Sequence, residues 1–250
     1  DSKMSKSMQS LMKLQNDFTN EQIIEKGEKI RLLFIQEKKD IDLANLEYIN
    51  NELEKARNLL TPISEDWKEA IKDQWWMQSS SYLISTLGRE NGIFYYYLRE
   101  HLLEFAGDAV CLEEDDPYLV MLITYGQLRF SINNSLLVEG FQSECHANCF
   151  NINHLNNRYY VCTGYALSDD SMWRRHSWLL DSKSNVIIET TKPRVLYYGF
   201  ILVNELSENL YNEAYMSSYI KDNGKFQEIA ENLENHIEEF LQKRNKGELK

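Results

Sequence analysis

Four short runs between residues 158 and 204 constrain the fold most: RYYVCTGYAL, HSWLLD, NVIIETT and RVLYYGFILV. Each is rich in Val, Ile, Tyr or Trp, side chains that pack well on a pleated surface. SDDSMW and DSKSN lie between them and carry turn-forming residues. The runs predict four antiparallel strands arranged as a meander. The segments on both sides read as helix. Helices, then a sheet, then helices is the order of an α+β chain, not of a parallel α/β fold.

The helical segments declare themselves by period. Leu46, Ile49, Leu53, Ala56 and Leu60 recur at helical spacing, and Ile23, Ile24, Ile30, Leu33 and Leu43 give a looser version. Residues 1–62 therefore read as a helical N-terminal region of two or three helices. It is either a layer packed on the rest or a surface that docks a partner. Pro62 stops that region, and Ser64 before Glu65 and Asp66 reads as an N-cap with an acidic first turn. Helix continues to about residue 106, with Gly92 expected to separate two helices and Trp67, Trp75, Trp76 and Phe94 to Tyr97 filling a core. YLVMLITYGQL, residues 118–128, fits a buried helix or a strand equally. After the strands, Phe226, Ile229, Leu233, Ile237 and Leu241 mark a C-terminal amphipathic helix. The domains expected are 1–62 and 63–250.

Charge removes several function classes. The chain of 250 residues carries a formal net charge of -12, so it lacks the basic footprint of a nucleic-acid binder. No apolar run is long enough to span a membrane, and the first residues lack the apolar stretch of a signal peptide. The expected location is cytoplasmic, or outside the cell as an exported bacterial effector. The four cysteines, Cys111, Cys145, Cys149 and Cys162, do not make a disulfide framework and read as reduced thiols. No GxGxxG, GxxxxGK[ST] or GxSxG is present, so neither nucleotide binding nor serine chemistry has a signal.

What remains is FQSECHANCF, residues 141–150. If Cys145 starts a helix, the unpaired N–H groups and the dipole there stabilise a thiolate. The same N–H groups, with the Gln142 or Asn148 amide, suit an oxyanion. A thiolate nucleophile needs a base, and the base needs a group to orient it. His176 begins a strand whose alternation puts Trp178 and Leu180 on its side, and Ser177, Leu179 and Asp181 on the other. A hairpin across DSKSN brings Glu189 within about one register step of His176, where a carboxylate fixes the tautomer and supports the imidazolium. Asp181 is the other candidate for that third place. Arg174 either holds an acidic substrate group or pairs with Asp169 or Asp170 in its own turn. Cys145, Cys149, His146 and His154 are the residues a zinc site would draw on, but no CxxC knuckle is present and His146 is expected to face away from the two cysteines. No cofactor is expected.

Cysteine on a helix, histidine on one strand and glutamate on the next is the order of papain-like cysteine hydrolases, and residues 140–204 resemble them in that respect, without the papain signature around the cysteine. The pieces Cys145–Asn148, Gly164–Ser168, Trp173–Trp178, Glu189–Thr191 and Tyr198–Phe200 more specifically resemble a family of uncharacterised bacterial proteins. That family carries Cys-His-x-Asn, GYALS-like, W-R-x-H-S-W and E-T-T motifs before a YFG-like segment. The resemblance implies a papain-like core: a nucleophile helix, an antiparallel sheet and C-terminal helices. Two functions are then in contention. One is a cysteine hydrolase or acyltransferase on an amide, isopeptide or thioester bond of a protein or peptide, with Cys145, His176 and Glu189 catalytic and Gln142, Asn148, Trp178 and Arg174 lining the substrate or oxyanion. The other is a non-catalytic scaffold that binds a partner through its N-terminal helices.

Overall fold

The structure, a computed structural model, describes residues 46–86, 89–202, 209–210 and 224–249. The helices expected before residue 46, and those expected over 203–208 and 211–223, lie outside the described residues. What is described is α+β. The chain divides into two compact units, residues 1–126 with 167–174, and residues 127–166 with 175–250.

The first unit is mainly helical. Helix α1 (Leu46–Arg57) buries Leu53 and Ala56 from the expected stripe. Helix α2 (Glu65–Ile71) begins as its sequence predicts, with the Ser64 hydroxyl accepting from the Trp67 N–H at 3.2 Å. A short 3₁₀ turn (Trp75–Met77) and helix α3 (Ser80–Thr86) lead to the long helix α4 (Arg89–Phe105). Gly92 does not separate two helices. It lies inside α4, where an added Cβ would come within 2.4 Å of the Ile84 backbone. The glycine is there so that α3 and α4 can approach closely, a use that sequence cannot distinguish from a break. Phe94, Tyr95 and Tyr97 are buried, and Trp75 meets Tyr95 edge-on at 5.7 Å. Strand β1 (Ala109–Cys111) pairs in parallel with Met172–Arg174. The ambiguous segment 118–128 resolves as helix α5 (Leu119–Tyr125) followed by a strand.

The second unit holds most of the sheet. Its strands are β2 (Gln127–Phe130), β3 (Ser135–Leu137), β4 (Tyr159–Leu167), β5 (Met172–Asp181), β6 (Ile187–Glu189) and β7 (Leu196–Ile201). Helix α6 (Cys145–Leu155) separates β3 from β4, and helix α7 (Lys225–Asn245) follows the sheet. The strand order is β2-β7-β4-β5-β6-β3. The four expected strands are all present, but only β4, β5 and β6 form a meander; β7 returns to lie beside β4. Its approach depends on two glycines. A Cβ on Gly164 would stand 2.1 Å from the Tyr198 carbonyl oxygen, and one on Gly199 would stand 2.3 Å from the Thr163 oxygen. Pairing is mixed: β2–β7 and β5–β6 are antiparallel, β3–β6 parallel. Cys162, Ala166, Trp178, Leu180, Ile187 and Tyr197 form the core under the sheet. Helix α7 buries Phe226, Ile229, Leu233 and Ile237 as its period predicts, and Phe240 rather than Leu241 completes the stripe. It packs on α6.

Candidate functional site

Helix α6 begins at Cys145, and the way the chain reaches that point is set by β6. Strand β3 runs parallel to β6, and past its end the chain keeps following the same neighbour. Val138 N–H donates to the Glu189 carbonyl and Gly140 N–H to the Thr190 carbonyl, each at 2.8 Å. Asn148 then ties the turn to the helix: its amide accepts from Phe141 N–H at 3.0 Å and donates to the Phe141 carbonyl at 2.8 Å. The Gln142 amide donates to the Thr191 carbonyl at 3.0 Å. Ser143 takes a left-handed conformation (φ 62°) and turns the chain into the helix. From the far side, α7 holds the same turn. Lys225 Nζ donates to the Gly140 carbonyl at 2.9 Å, and Phe226 meets Phe141 edge-on. The Glu144 side chain does not cap α6, and Asn148 N–H is the first amide to find an intrahelical partner. The N–H groups of Cys145, His146 and Ala147 therefore stand at a helix N-terminus with no intrahelical acceptor.

The hairpin expected across DSKSN is present. Leu179 lies opposite Ile188 and Leu180 opposite Ile187. One step further in that register, Glu189 falls opposite Trp178, diagonal to His176 on the same face. His176 Nε2 and Glu189 Oε2 are 2.8 Å apart, and both side chains are buried. Glu189 is held from every side. Its Oε2 also accepts from the Tyr197 hydroxyl at 2.9 Å. Its Oε1 accepts from Thr190 N–H, Thr191 N–H and the Thr191 hydroxyl, each at 2.9 Å. With Nε2 committed to the carboxylate, Nδ1 is the His176 ring nitrogen left for the Cys145 thiol, whose influence raises the ring.

The electrostatics follow from that line. Burial alone raises the Cys145 thiol, but the neighbouring imidazoles of His146 and His176 overcome burial and hold it well below its ordinary value. Burial lowers His176, and the Cys145 thiolate together with Glu189 reverses this and raises the ring to about 9. Burial raises Glu189, and the His176 bond with the surrounding donors lowers it to about 2. The shifts together favour the thiolate, imidazolium and carboxylate forms of the three groups. Cys145 is partly exposed; Cys149 and Cys162 are buried, and burial pushes both thiols up, Cys162 to about 12.

Other expected site residues are placed differently. Trp178 is fully buried in the sheet core, with its ring stacked behind His176, so it has no surface to offer a substrate. The Asn148 amide donates to the Phe141 carbonyl, and one Gln142 N–H donates to the Thr191 carbonyl. Arg174 belongs to the first unit, where it makes a two-pronged pair with Asp170 at 2.9 and 2.7 Å. Asp181 does not orient His176; it accepts from Arg158 Nε at 2.6 Å and from the Ser184 N–H. The suggested metal ligands do not converge: His154 stacks on Phe150, and among the described residues no group of three or more His, Cys, Asp or Glu side chains is placed to hold a metal.

His146 is the site residue that strand and helix patterns missed. It turns toward Cys145, and its Nδ1 lies 2.6 Å from Ser177 Oγ. Ser177 Oγ lies 3.0 Å from Thr163 Oγ1, which accepts from Arg175 Nη1 at 2.5 Å. Its sequence signal is its place next to Cys145, as a zinc-ligand candidate expected to face away from the cysteines; its partners Ser177 and Thr163 lie on β5 and β4. Among the described residues no helix is long and apolar enough to cross a membrane. No protein-family model, no curated protein and no solved structure matches this chain.

Proposed function

We propose that this protein is a cysteine-dependent hydrolase or acyltransferase, built on a papain-like core, that attacks an amide, isopeptide or thioester bond in a protein or peptide. Cys145 is the nucleophile. His176 gives its proton to the leaving group and recovers one from the incoming water or amine. Glu189 holds the ring and its charge. The attack forms the Cys145 S–C bond and sends the carbonyl pair onto oxygen; collapse expels the leaving group and leaves a thioester. The observation that carries this reading is the unbroken line from Glu189 through His176 to a depressed, partly exposed thiol at a helix N-terminus. Gly164–Ser168 and Tyr198–Phe200, which carry part of the resemblance to the bacterial family, include the two glycines that bring β4 and β7 together.

Iodoacetamide labelling tests the reading. A thiol near its ordinary value is almost wholly protonated at pH 6.5, whereas a depressed one carries a larger thiolate fraction, at some cost in intrinsic nucleophilicity. Cys145 is expected to alkylate about tenfold or more faster than free cysteine at that pH, and C145A to abolish the fast phase. A rate at Cys145 no higher than that of free cysteine rejects the proposal.

A further inference from the structure

The oxyanion formed at a Cys145 thioester needs a second donor besides the helix N-terminus, and of the two amides that suit the role by sequence, Asn148 is spent on two backbone carbonyls and Gln142 is tied by one N–H to Thr191. His146 lies next to Cys145 in the chain, with its Nδ1 held by Ser177. We infer that His146 is the side-chain donor that receives the oxyanion when Cys145 attacks a carbonyl, an assignment that rests on the nucleophile reading above.

A guanidinium only donates, so Thr163 Oγ1 accepts from Arg175 Nη1. Each hydroxyl owns one proton and can accept two, so the Thr163–Ser177–His146 contacts can run in either direction. The role assigned to His146 takes the direction in which Thr163 donates to Ser177 Oγ and Ser177 to His146 Nδ1; the ring proton then resides on Nε2, the nitrogen left for Cys145. Before reaction that N–H supports the thiolate. During attack, sulfur gives up its charge as the S–C bond forms, and the negative charge appears on an oxygen attached to the same carbon. A donor that reaches the sulfur needs only a small ring shift to reach that oxygen, where the new charge now resides. The two imidazoles thus divide the work. His176, locked on Glu189, handles the proton; His146, locked through two hydroxyls on Arg175, handles the charge.

Two reagents separate these roles without a known substrate. p-Nitrophenyl acetate acylates a thiolate through a tetrahedral oxyanion and releases p-nitrophenolate. Iodoacetamide alkylates the same thiolate by displacing iodide, with no oxyanion. Both rates at Cys145 are measured by mass spectrometry, with C145A as background and circular dichroism as the check on folding. In H146L, acylation is expected to fall about 100-fold, and the acylation-to-alkylation ratio to drop at least about tenfold. H146Q, which keeps an N–H, is expected to restore part of the ratio. S177A, which leaves the imidazole but removes its donor, is expected to lower the ratio several-fold and so carries the test if H146L does not fold. An unchanged ratio in H146L or, failing that, in S177A overturns the assignment while leaving the nucleophile intact. Wild-type Cys145 reacting with both reagents no faster than free cysteine removes the nucleophile and this assignment with it.

Discussion

Five donors converge on the Glu189 carboxylate: the His176 ring, the Tyr197 hydroxyl, two backbone N–H groups and the Thr191 hydroxyl. A glutamine there keeps one acceptor oxygen and turns an NH₂ group toward donors. E189Q is expected to cost about 3 kcal/mol of stability, the scale for breaking a buried charged pair, read from the urea midpoint, and to slow Cys145 alkylation at pH 6.5. The pH dependence has a defined sign. His176 rises from 6.5 to about 9, so its contribution to stability is complete below about 6.5 and is lost as pH rises through about 9. Glu189 falls from 4.5 to about 2, so its contribution is complete above about 4.5 and is lost as pH falls through about 2. Cys145, depressed, adds stability that is complete above the ordinary thiol value of 9.0 and is lost as pH falls through its lowered one. Because the thiolate is the main influence raising His176, C145S is expected to move the ring's titration, followed by proton NMR, to lower pH than the wild-type midpoint of about 9. An unmoved midpoint would show that the thiol does not hold the ring's charge.

At the scale of elements, the turn before the nucleophile is clamped between β6 and α7. Phe226 is buried against Phe141. F226A is expected to cost about 3 to 4 kcal/mol, and to slow Cys145 labelling more than an equally destabilising change at Phe240, farther along α7. Heat denaturation and labelling rates together check this. G164A forces a Cβ onto a carbonyl oxygen and is expected to destabilise by about 3 kcal/mol. The four strands, the capped helix at Ser64, the α7 stripe and the His176–Glu189 diagonal were legible because each is written in local period or turn chemistry. The place of β7 was not, since nothing local says which edge a returning strand takes. Gly92 was misread for a related reason: a glycine that permits close packing and one that ends a helix look alike until the neighbour is known. The same limit hid His146. Its partners are Ser177 and, through it, Thr163, and their convergence is a tertiary fact.

Across the whole molecule, the four cysteines report on different parts of the chain. Cys111 is partly exposed in the first unit, where burial raises its thiol and Arg174 lowers it in part. In the second unit, Cys145 is partly exposed and depressed, whereas Cys149 on α6 and Cys162 on β4 are sealed. At neutral pH a brief alkylation of native protein is therefore expected to modify Cys145 alone, and all four thiols once the chain is unfolded. Brief labelling along a urea titration then tests whether the unit that carries the site unfolds as one. The sheet core includes Cys162, and α6 with Cys149 is tied to the Glu189–Thr191 segment through the turn at 138–142. If those ties make a single cooperative unit, Cys149 and Cys162 become reactive at the same urea concentration. If Cys149 opens while Cys162 stays protected, the nucleophile helix detaches from an intact sheet. The Cys145–His176 pair would then rest on a local docking equilibrium rather than on the stability of the whole unit.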